Sequence, residues 1–260
     1  MIEIVKKLLI SLAVMAVFMA VTPAVAQNYG IVFGELEVNE TNAVDIFGDG
    51  MASYDFEHNM MVLQDNFDYH LSHGLVTINT GREFHIVLEG TAEMSASIDC
   101  GDPVVVEAVD EGVLKITSNI SGTALKCASL TVMPGVLLDL LSRNSSNNMY
   151  ALECDELVVN EANVHAEVTT AQMAVATRSM TLNGSWLQRP HGGFVSTQYG
   201  GICFADGIPA KFVRIVVGGY GVQEEDEPAP DAKVEKVYED GRIVIIKDGK
   251  RYDVTGRECD

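Results

Sequence analysis

Cys100, Cys127 and Cys154 stand 27 residues apart, and they are the first residues of this chain whose type and spacing suggest chemistry. If successive segments lie over one another, the three thiols form an inward column whose neighbours fall within the Cα separation a disulfide needs. The burial habit of free cysteine favours thiols packed there as small hydrophobes. Ligands strung along a line do not converge on one point, so no metal centre is expected among them. Carboxylates form a second set: Asp99, Asp102, Glu153, Asp155 and Glu156 accompany the cysteines on neighbouring segments. Clustered carboxylates with Ca²⁺ and an arginine can cleave acidic polysaccharides by acid/base chemistry. Stacking would set Asp102 and Asp155 roughly 9–10 Å apart, and solvated outward strand positions are the favoured reading of such rows. The third set is a Gly-rich loop, residues 188–201, beside the only tryptophan. Trp186, Arg189, His191 and Tyr199 are the candidate ligand-binding residues there, because sugar rings stack on aromatic faces and Arg, Gln and His bond to hydroxyls. The competing reading has Trp186 and Phe194 simply packed beneath the loop. The chain lacks G-x-S-x-G, H-E-x-x-H, C-x-x-C, Walker-type and dinucleotide-binding motifs, so no catalytic residue is assigned.

The elements that must position these residues are written five times over. Leu71-Ser72-His73-Gly74, Ile98-Asp99-Cys100-Gly101, Leu125-Lys126-Cys127-Ala128, Leu152-Glu153-Cys154-Asp155 and Val175-Ala176-Thr177-Arg178 each precede a second apolar pair two residues apart. The first four phrases are separated by 27 residues and the fifth follows after 23. A fixed period in this range marks a stacked repeat. Within each phrase the apolar positions alternate with polar ones, which is the pattern of a half-buried strand, and a bend-tolerant residue follows. Two strands meeting at a corner, with a third apolar run such as Phe84/Ile86/Leu88, Leu114/Ile116 or Trp186, describe one coil of a parallel β-solenoid. Val, Ile, Leu and Thr dominate and no i, i+3, i+4, i+7 stripe appears, which excludes a helical solenoid. In this register His73 and Thr177 share the cysteine position, and Cys203 would close the column at its far end.

Before the repeats, residues 1–26 read as a secretion signal: Lys6 and Lys7, the apolar run Leu8 to Val21, and Ala24-Val25-Ala26 before Gln27. No cysteine follows that site, so a lipoprotein anchor is not indicated, and no integral membrane segment is expected once the signal is removed. The chain is expected to be exported: secreted or on the outer surface, with the periplasm as the alternative. Five cysteines, three of them in repeat register, do not make a stapled framework, and Cys259 is expected to be free. With 17 Lys+Arg against 37 Asp+Glu the formal net charge is −20, which argues against nucleic acid and anionic lipid as partners. Residues 27–217 are expected to form the solenoid with an N-terminal cap of strands around Tyr29 to Val38 and Ala52 to Leu63. Residues 218–233 read as an acidic, Pro-containing linker, and 234–260 as a small β unit with turns at Asp240-Gly241 and Asp248-Gly249.

Tyr29 to Val38, Gly48-Asp49-Gly50, Ala52-Ser53-Tyr54-Asp55 and Val62-Leu63 together resemble the mature start of secreted parallel β-helix repeat proteins of Gram-negative anaerobes. Leu75-Val76-Thr77-Ile78 and Leu130-Thr131-Val132 match the coil phrase of that family, over about residues 29–217. The chain departs from the family in having fewer glycines in its coils and cysteine where other small or aromatic residues are usual. The resemblance implies a right-handed parallel β-helix, surface exposure and glycan binding, and it transfers no catalytic residue. Asp240 to Arg257 is similar to the sorting tails of the type nine export route in the same bacteria; an accessory hairpin is the alternative. The expected function is therefore a non-catalytic exported or surface β-solenoid that binds glycan or a surface protein. A Ca²⁺-assisted polysaccharide lyase or hydrolase and a structural spacer are the alternatives; no cofactor is expected, with Ca²⁺ the only candidate.

Overall fold

A computed structural model describes residues 27–119, 122–143, 149–170, 173–218, 235–239, 242–247 and 250–252. The expected signal (1–26), almost all of the expected linker, both expected turns of the C-terminal unit, and Cys259 lie outside the described residues. The chain divides into two compact units, Met1–Gly219 and Tyr220–Asp260. Among the described residues every regular element is a strand, and none is a helix long and apolar enough to cross a membrane.

In chain order, β1 (Asn28–Phe33), β2 (Leu36–Asn39), β3 (Ala52–Asp55) and β4 (Met60–Gln64) open the first unit. They lead into β5 (Phe67–Ile78), β6 (Phe84–Glu89), β7 (Thr91–Cys100), β8 (Val104–Ala108) and β9 (Gly112–Ser118). Next come β10 (Leu125–Lys126), β11 (Ser129–Val132), β12 (Val136–Ser142), β13 (Leu152–Glu153) and β14 (Glu156–Asn160). Then follow β15 (Asn163–Val168), β16 (Val175–Ala176), β17 (Ser179–Asn183), β18 (Ser185–Arg189), β19 (Phe194–Ser196), β20 (Gly201–Cys203) and β21 (Phe212–Val217).

These strands form a parallel β-solenoid of about five turns. Strands β4, β6, β8, β11, β14 and β17 stack in parallel as a first face, with β3 antiparallel on β4. The long β7 bends a 14-stranded sheet into two further faces: Thr91 to Met94 pair with β9, while Ile98 and Asp99 pair with β10. The second face continues through β12 and β15, and the third through β13 and β16. At the C-terminal end, β21 and then β18 add antiparallel to the second face, and β20 and then β19 to the third.

Burial follows the pleat. In β12 the residues alternate between fully buried and half-buried from Val136 to Ser142, and β9 does the same. Leu114, Ile116, Leu138, Leu140, Val164 and Ala166 are all completely buried. No coil could bury those side chains alone, so stacking supplies the hydrophobic stabilisation, at about 25 cal/mol per Å² of apolar surface removed from water. Corners are turned where the backbone permits it. Gly135 takes φ +80°, and a Cβ there would strike the Asp110 carbonyl of the turn below, so a side chain is excluded on two counts.

The register corrects the first repeat. Val76, not Leu71, pairs with Ile98, and Ile78 pairs with Cys100. The cysteine position in the first turn therefore belongs to Ile78 rather than His73. Phe84 pairs with Val104, so Phe84/Ile86/Leu88 belong to the first face and not to the run containing Leu114 and Ile116. The cause is the irregularity between His70 and Leu75, which lets one twelve-residue strand cross from the second face to the third. In the second turn Leu130 pairs with Val104, where the 27-residue period would put Pro103, a slip of one position at that corner.

The second unit contains β22 (Glu235–Glu239), β23 (Arg242–Lys247) and β24 (Lys250–Tyr252), an antiparallel meander in which Val237 pairs with Val244 and Ile245 with Tyr252.

Candidate functional site

The three sets of residues with chemical potential occupy different places. Cys100, Cys127 and Cys154 are 2%, 6% and 6% exposed. They follow in-register strand pairs, with Lys126 between Asp99 and Glu153. Thr177 is buried at the same level one turn on, where its hydroxyl lies 3.9 Å from the Cys154 sulfur. Cys203 does not extend this column. The strand carrying it runs antiparallel, so that Ala176 pairs with Gly201, and Cys203 is bridged instead to Pro209 and paired with Phe194. Among the described residues no group of three or more His, Cys, Asp or Glu is arranged to hold a metal ion.

Asp99 and Glu156 are exposed, while Asp102, Glu153 and Asp155 have partners within the fold. Asp102 Oδ2 accepts from the backbone N–H of Thr80 at 2.7 Å, the Thr80 hydroxyl at 3.1 Å and the Gly81 N–H at 2.9 Å. It thereby fixes the loop that turns one coil into the next. Ala128 intervenes between Asp102 and Asp155, since the Ala128 N–H donates to the Asp102 carbonyl and the Asp155 N–H to the Ala128 carbonyl. Asp155 itself pairs with Arg178 at 3.2 Å, and Glu153 with Lys126 at 3.1 Å. The pair with Glu153 raises the affinity of Lys126 for its proton, chiefly through the hydrogen bond.

Of the loop candidates, Trp186 and Arg189 lie on β18, one end of the strand order of the large sheet. His191 is exposed in the connection that follows, where the Gly193 N–H closes a turn on the Pro190 carbonyl. Tyr199 is 50% exposed in the turn joining β19 to β20, at the other end of that strand order. Trp186 is half-buried and pairs with Val216, while the adjacent Leu187 packs on the core. Trp186 therefore belongs to the outward side of the second face, not to a third inward apolar run.

That outward side holds residues the repeat pattern did not single out. One row runs from Val113 through Leu137 and Asn163, and Val216 and Trp186 follow at the antiparallel end. The Val217 N–H donates to Asn163 Oδ1 at 3.1 Å, which fixes the returning strand there. Two residues along, a charged row runs Glu93, Lys115, Asp139, His165 and Arg214, with Arg189 opposite Arg214. Leu141 and Phe212 stand half-buried beyond it. Lys115 Nζ meets Glu93 Oε1 at 2.6 Å and is raised mainly by that bond. His165 is held below the usual histidine range by burial, and the Arg214 guanidinium depresses it further. The imidazole is thus neutral near pH 7 and offers one donor and one acceptor beside a guanidinium. Alternation of polar residues in Asn163–Val168 and Phe212–Val217 marks these positions as outward, but only the antiparallel return of β21 places Arg214 against His165.

Comparison with protein-family models, with curated proteins and with solved structures gives no match to this chain.

Proposed function

We propose that this chain is a non-catalytic β-solenoid, exported or displayed at a cell surface, that binds glycan through the outward side of its second face. The observation that carries this reading is the adjacency of an apolar row ending in Trp186 and a polar row containing Asp139, His165, Arg214 and Arg189. An indole can stack on the C–H face of a pyranose, while guanidinium, imidazole and carboxylate groups bond to its hydroxyls. Successive strands set these groups about 4.8 Å apart along the face, which suits an extended ligand lying across the strands. Arg214 and Arg189 put two positive charges at the C-terminal end of this row, where, on a chain of formal net charge −20, they favour an anionic or hydroxyl-rich ligand. The resemblance of residues 29–217 to secreted β-helix proteins supports export, and the tail-like sequence after Asp240 supports sorting to the surface.

The test is a glycan array and a pull-down from surface extracts, run with the full chain and with Trp186→Ala. Loss of about tenfold in glycan affinity is expected, with Tyr199→Ala close to the parent. Unchanged glycan binding in Trp186→Ala removes this face from consideration, and loss in Tyr199→Ala instead moves the site to the hairpin turn. A blank array with a retained protein in the pull-down replaces glycan by a protein partner. Turnover of uronate polymers with Ca²⁺ supplied, abolished by Asp99→Asn, would replace binding by catalysis.

A further inference from the structure

The column of thiols is not uniform. The Cys100 thiol donates to the Asp102 carbonyl at 3.6 Å, within its own turn. Cys127 and Cys154 are hydrogen-bonded to each other. Cys154 passes its hydrogen to Thr177 Oγ1, and the Thr177 hydroxyl donates to the Ser179 carbonyl at 2.8 Å. The backbone beneath is in register: Lys126 pairs in parallel with Glu153, and the Cys127 N–H donates to the Glu153 carbonyl at 3.0 Å. In-register neighbours of a parallel pair have Cα atoms about 4.8 Å apart, inside the disulfide range of about 4.4–6.8 Å. Both residues retain 6% exposure at the corner between the third and first faces, so the thiols are shielded but not sealed.

We propose that Cys127 and Cys154 form a coil-to-coil crosslinking site, which a small disulfide oxidant converts to a disulfide while Cys100 and Cys203 stay thiols. Of the pair, Cys154 ionises more readily, because the Cys127 thiol donates to its sulfur. Giving that bond and burial both push Cys127 up. Burial, with the nearby Asp102 and Asp99 carboxylates adding to it, pushes Cys100 up to about 11, which leaves it the poorer nucleophile. The Cys154 thiolate attacks one sulfur of the oxidant, the oxidant's S–S bond breaks, and half of the oxidant departs as thiolate. Cys127 then gives up its proton, and its sulfur attacks the Cys154 sulfur of the mixed disulfide and expels the second half. Two cysteine sulfurs are oxidised, and the oxidant takes two electrons and two protons to become two thiols. The bond closes a loop of one full turn, linking consecutive coils of the core.

The full chain is incubated with excess oxidised glutathione at mildly alkaline pH, denatured, alkylated and mapped by mass after trypsin, which can cut at Arg143 between the two cysteines. The expected product is a pair of peptides joined through Cys127 and Cys154, with alkylated Cys100 and Cys203. A rise of roughly 5 °C in Tm, reversed by dithiothreitol, should accompany it. Cys100→Ser should keep the link and Cys154→Ser should abolish it. Alkylation of both Cys127 and Cys154, glutathione retained on one of them, or a link involving Cys100 would overturn the proposal. The map of the unsubstituted chain decides the matter even if Cys154→Ser does not fold.

Discussion

At the N-terminal end of the solenoid unit, β3 covers the first face and β1 the third, while the second face is closed by aromatic rings instead of a strand. Phe47 stands 5.9 Å from Phe67 and 5.1 Å from Tyr69, and Phe33 stands 5.3 Å from Tyr69. At the C-terminal end the second and third faces receive β21 and β20, and among the described residues the face left without a further strand is the first, which stops at β17. There Met180 and Leu182 point inward but remain half-buried. Each end thus caps two faces with antiparallel strands and leaves one open. The difference lies in what fills the open core: a packed cluster of large rings at one end, two aliphatic side chains at the other. An antiparallel strand satisfies backbone groups, but only volume closes a hydrophobic core.

The largest effect that can break this comparison is expected from Phe33→Ala. Phe33 is 2% exposed and touches both Phe47 and Tyr69, so its truncation should cost about 3–5 kcal/mol. Leu182→Ala at the other end removes a side chain that water already reaches and should cost about 1 kcal/mol or less. Urea unfolding midpoints measure both, and equal losses would mean that the two ends are equally closed.

The same contrast explains what could be read from sequence. Leu125 lies over Ile98 and Leu152 over Leu125 at 27 residues each, and from Leu125 onward the corner from third to first face recurs with equal length, so this part was legible as spacing. The first turn was not, because β5 crosses a corner without a break and its coil is shorter. The charged row was half legible: Lys115, Asp139 and His165 stand on successive parallel strands. Arg214 was hidden, since it arrives on a strand that returns antiparallel after the β19–β20 hairpin, and no period connects it to His165. Repeats announce themselves by spacing; caps, which break the repeat, do not.

The C-terminal cap offers a second, smaller test. A Cβ on Gly201 would run into the Val175 carbonyl and the Met173 sulfur, where β20 lies against the last parallel strand of the third face. Gly201→Ala should cost about 1–3 kcal/mol by forcing β20 away. Loss of protection of the Thr177 amide, which donates to the Gly200 carbonyl, would locate the damage by hydrogen exchange. Retained protection with full stability would mean that β20 is not what closes this face.

Acid sharpens the comparison, because the two ends respond with opposite sign. The folded pKa of His165 lies below its unfolded value, owing first to burial and then to Arg214, with Asp139 opposing from the other side. Its contribution is present above about pH 6.5 and is lost as the pH falls towards the depressed folded value. His58, in the N-terminal cap, is raised by its hydrogen bond to Asp55. Its contribution is full below about pH 6.5 and is lost as the pH rises through the raised value. His165→Gln should therefore flatten the fall in urea midpoint between roughly pH 6.5 and 5, whereas His58→Gln should leave that interval unchanged and remove a gain in midpoint as the pH falls to about 6.5 from above. An unchanged slope in His165→Gln would remove the imidazole from the acid response.

The smallest effect is expected midway between the ends, where Lys115 and Glu93 meet at 2.6 Å with side chains 45% and 48% exposed. Solvent at both partners screens the attraction, and two long side chains lose rotamers in making it, so a double-mutant cycle should return about 0.2–1 kcal/mol, falling in salt. A coupling above about 2 kcal/mol would mean that the outward charged row acts as a connected network. The stability of the middle coils would then owe as much to their outer surface as to Leu114, Ile116 and Leu138 within. A small value means that a ligand can recruit Lys115 and Glu93 from each other at little cost to the stability of the fold.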